Sequence, residues 1–150
     1  MKQLRWIGGA VTLAGALLRI WSAGHIEKGR VLACTGPYAL TRNPLYLGSL
    51  FMAVGILVAG QGYWLLPIFI LFFAGIYFPV MRAEEEELRS GHGELFDIYC
   101  RAVPLFLPRF GTGYALAPGF QWSRVLRNRE HRNLMGLVAV ELFLILRWLL

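Results

Sequence analysis

The sequence predicts an all-α integral membrane protein. About four transmembrane helices are expected, with a central helical hairpin and a cytoplasmic amphipathic helical extension. Three observations carry that expectation. Hydrophobic residues make up 57% of the chain and charged ones only 16%, where a soluble domain holds roughly 45–50% and about 25%. The apolar residues gather into blocks, and one of them, Gly62 to Met81, runs twenty residues without a charge, enough to cross a hydrocarbon core of about 30 Å. The basic residues also fall mostly between the blocks and not within them.

Taken in chain order, the first block is Leu4 to Ala23, interrupted by Arg19. Lys2 and Arg5 ahead of an apolar stretch resemble the start of a secretory signal. Arg19, Ile20 and Trp21 stand where small cleavage-site residues would be needed, so a retained first helix is expected. Leu45 to Gly60 is the second block. Gly60-Gln61-Gly62 then reads as a tight turn that makes the second and third blocks an antiparallel hairpin. Pro67 is placed to bend the third helix. After Met81 come "RAEEEELRSGHGELFDIYCRAVPLFLPRF", whose four glutamates are expected to carry the helix out of the bilayer. Leu88, Leu95 and Tyr99 form an apolar stripe there, Gly91 and Gly93 interrupt it, and Pro104 and Pro108 end it. Leu134 to Leu150 is the last block, containing Glu141 and Arg147. A charge inside an apolar helix needs a partner, and Arg19 is a candidate for Glu141. Residues 1–150 read as a single domain without repeats or low-complexity linkers, closing on a membrane helix at about 133–150.

The net charge of +6 is distributed unevenly. With four spans, residues 24–44 and 82–133 share one side and hold Lys28, Arg30, Arg42, Arg82, Arg89, Arg101, Arg109, Arg124, Arg127, Arg129 and Arg132. The other side has Lys2, Arg5 and Arg147. The positive-inside rule puts both loops in the cytoplasm of a bacterial or archaeal cell, so that any site they form faces inward. Cys34 and Cys100 then lie in a reducing compartment as free thiols. Neither they nor the scattered His25, His92 and His131 have the spacing of metal ligands, so no metal is expected. The arginine cluster from Arg124 to Arg132 precedes an apolar helix and lacks interleaved aromatics. It reads as a topology signal or a contact with membrane lipids, and nucleic acid is not expected.

Two polar stretches flank the hairpin on that side, "CTGPYALTRNPLYLGSL" and the acidic extension. The first enters the hairpin and the second leaves it, so they meet. Aromatic rings and an arginine face carboxylates, a setting for a small ligand that is part cationic and part aromatic. Gly36-Pro37-Tyr38 followed by Arg42-Asn43-Pro44-Leu45-Tyr46-Leu47-Gly48 resembles the "GPY…RHPxYxG" signature of the isoprenylcysteine carboxyl methyltransferase family, within a wider group that includes phospholipid N-methyltransferases. Glu84-Glu85, Leu88, Gly93, Tyr99, Val103-Pro104 and Pro108 resemble its second run, so the likeness covers about residues 19–109.

The resemblance implies an S-adenosylmethionine-dependent membrane methyltransferase acting on a lipophilic small molecule or lipid drawn from the bilayer. The nominal acceptor is a carboxylate of the prenylcysteine kind. An amine acceptor and a non-enzymatic membrane scaffold are the alternatives, and a nicotinamide-dependent reductase is a third. By position, the donor would contact Arg30, Val31, Leu32, Ala33, Tyr38, Asn43, Pro44, Leu45 and Tyr46, with Glu84 the main acidic contact and Glu85 beside it. Tyr38 and Tyr46 would lie against adenine or sulfonium, where a cation over a ring gains roughly 0.5–2 kcal/mol. Arg82 and Arg109 would position the acceptor. The chain departs from the pattern at Asn43, where histidine is usual, and at Val80, His92, Phe96 and Leu105.

Overall fold

In the computed structural model the backbone is described for residues 2–27, 31–116 and 119–149. Among these the chain is helical with no strand. The elements are α1 (Lys2–His25), a 3-10 turn (Gly36–Ala39), α2 (Pro44–Ala59), a second 3-10 turn (Tyr63–Leu65), α3 (Leu66–His92), α4 (Glu94–Ala102), α5 (Trp122–Arg127) and α6 (Glu130–Leu149).

Among the described residues two helices are long and apolar enough to cross a membrane, Gln3–His25 and Tyr63–His92. The expectation of four spans is therefore met in part. The 16 residues of α2 extend about 24 Å at 1.5 Å per residue, short of a hydrocarbon core. In α6 the apolar run is broken by Glu141.

The tight pair in the fold is α1 with α2, packed along their length. Small residues allow it. A Cβ placed on Gly15 would stand 2.6 Å from the carbonyl oxygen of Gly48, and one on Gly48 would stand 2.9 Å from that of Gly15. Gly8 and Gly55 meet as closely one turn and more away, beside Ala59. Helices whose backbones touch in this way gain van der Waals contact that larger side chains would forbid. The expected central hairpin is corrected accordingly. The Gly60–Gly62 turn exists, with Gln61 at φ 61°, but α3 leans away from α2, and most of its apolar surface stays uncovered.

Local sequence explains the other boundaries. Pro67 sits in the first turn of α3 and bends nothing, while the proline inside the helix is Pro79. The glutamate run continues α3 to His92, and Gly91 does not interrupt it. The break falls at Gly93, whose φ of 54° suits a residue without a Cβ. That break resets the helical phase, so the expected stripe of Leu88, Leu95 and Tyr99 does not form. Leu88 and Leu95 are exposed, and α4 buries Phe96 and Tyr99, with Val103 just past its end.

Beyond α4 the chain lies as a strap across the connection between α1 and α2. The Arg42 and Arg109 amides donate to the Pro104 and Leu40 carbonyls, both at 2.9 Å. Gly36 donates to Ala115 at 3.0 Å and Gln121 to Gly24 at 2.9 Å. Thr41 Oγ1 donates to Phe106 O at 2.8 Å and Thr112 Oγ1 to Ala39 O at 2.6 Å. Four of these six bonds join backbone to backbone, so many side-chain choices could support the strap.

Candidate functional site

At the strapped end of the bundle, α2 starts where the acidic part of α3 passes. Pro44 opens α2, and Asn43 before it stands outside the helical region at φ −126° and ψ 54°, as the clash of a proline ring with a preceding helical residue requires. That geometry turns Tyr46, one turn into the helix, toward α3. Its hydroxyl donates to Glu84 Oε1 at 2.8 Å, and its ring lies 5.2 Å from that of Tyr77.

The buried acid, however, is Glu85 and not Glu84. Glu85 is 5% exposed, with Arg42 Nη1 2.7 Å from its Oε1 and Arg82 Nη1 3.1 Å from its Oε2. The Arg42 contact is an ion pair by distance but off the hydrogen-bond angle, so Oε1 gains charge without an aligned N–H. Arg42, to which the resemblance assigned no ligand contact, is thus the main partner of the site's buried carboxylate. The helical phase of α3 carries the signal: Met81 and Glu85, four apart, share its buried face.

Tyr38 occupies the first 3-10 turn. Its hydroxyl is buried and has no hydrogen-bond partner among the described residues. Desolvation, aided by the Glu84 carboxylate, pushes its ionisation well above the usual tyrosine value. Tyr99 donates its own hydroxyl to Tyr38 O at 2.6 Å, and burial raises it in the same sense. Desolvation also raises the Cys34 thiol, and both cysteines are free.

The other residues singled out from the sequence fall into place around this centre. Asn43 is buried, but its Nδ2 donates to Leu105 O at 3.0 Å, which latches the strap. Pro44 is buried at the helix start, and the Leu45 carbonyl accepts from Arg19 Nη1 at 3.2 Å. Val31 is exposed, whereas Leu32 packs on the Phe96 cluster and Ala33 is half-buried. Arg30 lies outside the described residues. Arg109 donates from Nη2 to Ala102 O at 2.6 Å, tying the strap back to the end of α4. Residues 38, 42, 46, 82, 84 and 85 are therefore brought together, and residues 31 and 109 lie apart from them.

A second buried pair stands behind the first. Arg19 does not reach Glu141. It meets Glu130 at the start of α6 through Nη2 at 2.7 Å and Nε at 3.1 Å. Glu141 instead holds one buried carboxylate oxygen without a partner among the described residues. His25 is no surface residue either. It is buried against Gly36, where a Cβ would stand 2.5 Å from its Nε2.

No family model matches the chain, and no solved structure matches it. Two curated proteins do. The chain is 35% identical over 113 residues to the nickel-cobalt-cadmium resistance protein NccN of Alcaligenes xylosoxydans xylosoxydans, a match over 69% of this chain and 53% of that protein. It is 36% identical over 93 residues to the cobalt-zinc-cadmium resistance protein CzcN of Cupriavidus metallidurans, over 61% and 43%. Both are named for metal resistance. The chain spans about half the length of these relatives.

These relatives overturn the methyltransferase reading. Their names point to resistance against metals and not to methyl transfer, so the resemblance to the isoprenylcysteine carboxyl methyltransferases does not give the function, and the enzymatic expectation goes with it. The expected partners are corrected on the same ground: a metal was excluded, and a lipophilic substrate was put in its place. The structure supplies a physical reason for the misleading motif. Gly36 makes room for His25, Asn43 latches the strap, Pro44 starts a helix, and Tyr46 clasps Glu84. Such residues build a junction, and a junction can be shared by proteins of different chemistry.

Proposed function

We propose that the chain is a membrane-embedded component of resistance to divalent transition-metal cations, cobalt and cadmium foremost. The observation that carries this reading is its likeness to NccN and CzcN, whose names share those two metals and differ in nickel and zinc. In this reading α1, α3 and α6 cross a bacterial cytoplasmic membrane, and α2, short for the core, crosses beside α1 where the bilayer thins locally, with the strap and the acidic end of α3 on the cytoplasmic side. The excess of arginine there supports that orientation.

Among the described residues no three histidine, cysteine or carboxylate side chains converge as a metal cage. Resistance then belongs to the membrane unit as a whole, with the cation as cargo or challenge. The Arg42–Glu85 and Tyr46–Glu84 contacts hold the acidic end of α3 against that unit.

Deleting the gene and restoring it on a plasmid tests the reading. Growth across graded cobalt, cadmium, nickel and zinc should show reduced tolerance to cobalt and cadmium, with cell-associated metal rising in parallel. Unchanged tolerance to all four cations would rule it out.

A further inference from the structure

The corner between α5 and α6 has chemistry that the metal reading does not use. α5 lies across the end of α1 and is tied there by Asn128 Nδ2, which donates to Ala23 O at 2.9 Å and Ile26 O at 3.3 Å. Val125 turns inward and is buried, while Trp122 and Leu126, four residues apart, turn outward at 66% and 62% exposure. Arg129, at φ 57°, makes the turn into α6. Its side chain and that of Arg132 are exposed and form no hydrogen bond or ion pair among the described residues.

The nearby acids are already engaged. Glu130 is held by Arg19, and Glu27 by Arg124 at 3.0 Å with Arg127 at 3.6 Å. The corner thus presents a tryptophan, a leucine and uncompensated arginines on a fixed frame, at the level where α1 ends.

We infer that this corner is a docking surface for anionic lipid headgroups, with Trp122 and Leu126 seated against the headgroup end of the acyl chains and Arg129 and Arg132 meeting the phosphates, flanked by Arg127 beside Glu27. The inference rests on the membrane reading above. Charge complementarity selects the occupant. Clustered arginines beside an apolar span draw acidic lipids to the surface, and an amphipathic indole ring settles where hydrocarbon gives way to headgroup. An acidic protein would satisfy the arginines but would not require the two apolar side chains to face outward beside a bilayer.

The test uses the full chain in lipid nanodiscs made of phosphatidylcholine alone or of an equal mixture with phosphatidylglycerol. Acyl-brominated versions of each lipid quench tryptophan, and Trp122→Phe isolates the contribution of that residue. Quenching of Trp122 should be about twofold stronger in the anionic discs, as expected if acidic lipids draw the corner in. The triple change Arg127→Gln, Arg129→Gln, Arg132→Gln should abolish the difference while helix content stays the same. Equal quenching in both discs, or a difference that survives the triple change, would overturn the inference and leave the membrane reading intact. A chain that fails to enter either disc would overturn both.

Discussion

Arg19 and Glu130 lie 111 positions apart in sequence and meet at 2.7 Å. A second bond links Arg19 Nε to Glu130 Oε2 at 3.1 Å, so the guanidinium takes both carboxylate oxygens at once. Its third nitrogen bonds the Leu45 carbonyl and the Ser49 hydroxyl. One arginine therefore joins α1, α2 and α6 where the strap crosses. Arg19→Met alone should destabilise the chain by about 3–5 kcal/mol, the scale of stranding one member of a buried pair. Adding Glu130→Leu should recover much of that loss. Reversible unfolding in detergent measures both, and additive losses would show that the two residues act separately.

The clasp on α3 makes a separable prediction. Glu85→Gln removes the buried charge that Arg42 faces and that Arg82 bonds, and the acidic end of α3 should open at least about tenfold more often, since a hydrogen bond to a charged group is worth about 1.5–3 kcal/mol. Limited proteolysis within residues 82–92 reads the opening. Glu84→Gln is the control. It is exposed and its amide still accepts from Tyr46, so the change should stay within about 0.5 kcal/mol. If the clasp supports resistance, cobalt tolerance should fall with Glu85→Gln and hold with Glu84→Gln.

The α1–α2 seam predicts a sharp contrast between neighbouring glycines. Gly15→Leu places a side chain where the Gly48 carbonyl lies 2.6 Å from the Cβ position. The helices must part, at a cost of about 3 kcal/mol or more, the upper end of ordinary overpacking. Gly9 has nothing within 4 Å of that position, so Gly9→Ala should stabilise by up to about 1 kcal/mol through helix propensity. Thermal unfolding of the two variants side by side decides it.

Alkaline pH should loosen the strapped end. Desolvation raises the ionisation of Tyr38 and Tyr99 above the usual 10.0. A raised value means that the fold favours the protonated phenol. The stability this supplies is complete below about pH 10, the unfolded value, and falls as pH climbs toward the folded values. Phenolate absorbance should show Tyr38 and Tyr99 titrating late and together with loss of structure. Tyr99→Phe should remove one of them and shrink the alkaline loss.

Much of the helical framework could be read from the chain. Uncharged blocks marked α2 and α3, the Gly60–Gly62 turn fell where glycine spacing put it, and the glutamate run did extend α3. Tyr46 and Glu84 were placed together correctly. What escaped depended on phase and distance. Gly93 shifts the register by its positive φ, which no periodicity count anticipates, so Phe96 and not Leu95 became core. Choosing Glu85 over Glu84 required the rotation of α3 about its axis, which four identical letters in a row conceal. Arg19 had a nearer-seeming partner in Glu141, and only the antiparallel course of α6 brings Glu130 to it. The function was misread because the motif was taken as a sign of shared chemistry, while Gly36, Asn43 and Pro44 shape a turn, a latch and a helix start.

α3 is held at its two ends, by the Gly60–Leu65 turn below and by the Arg42–Glu85 and Tyr46–Glu84 contacts above. Between them it has little lateral support from α2. Only ring contacts, Tyr77 on Tyr46 and Phe73 on Phe106, steady the middle of α3 among the described residues, so its position is set chiefly by its two fastenings.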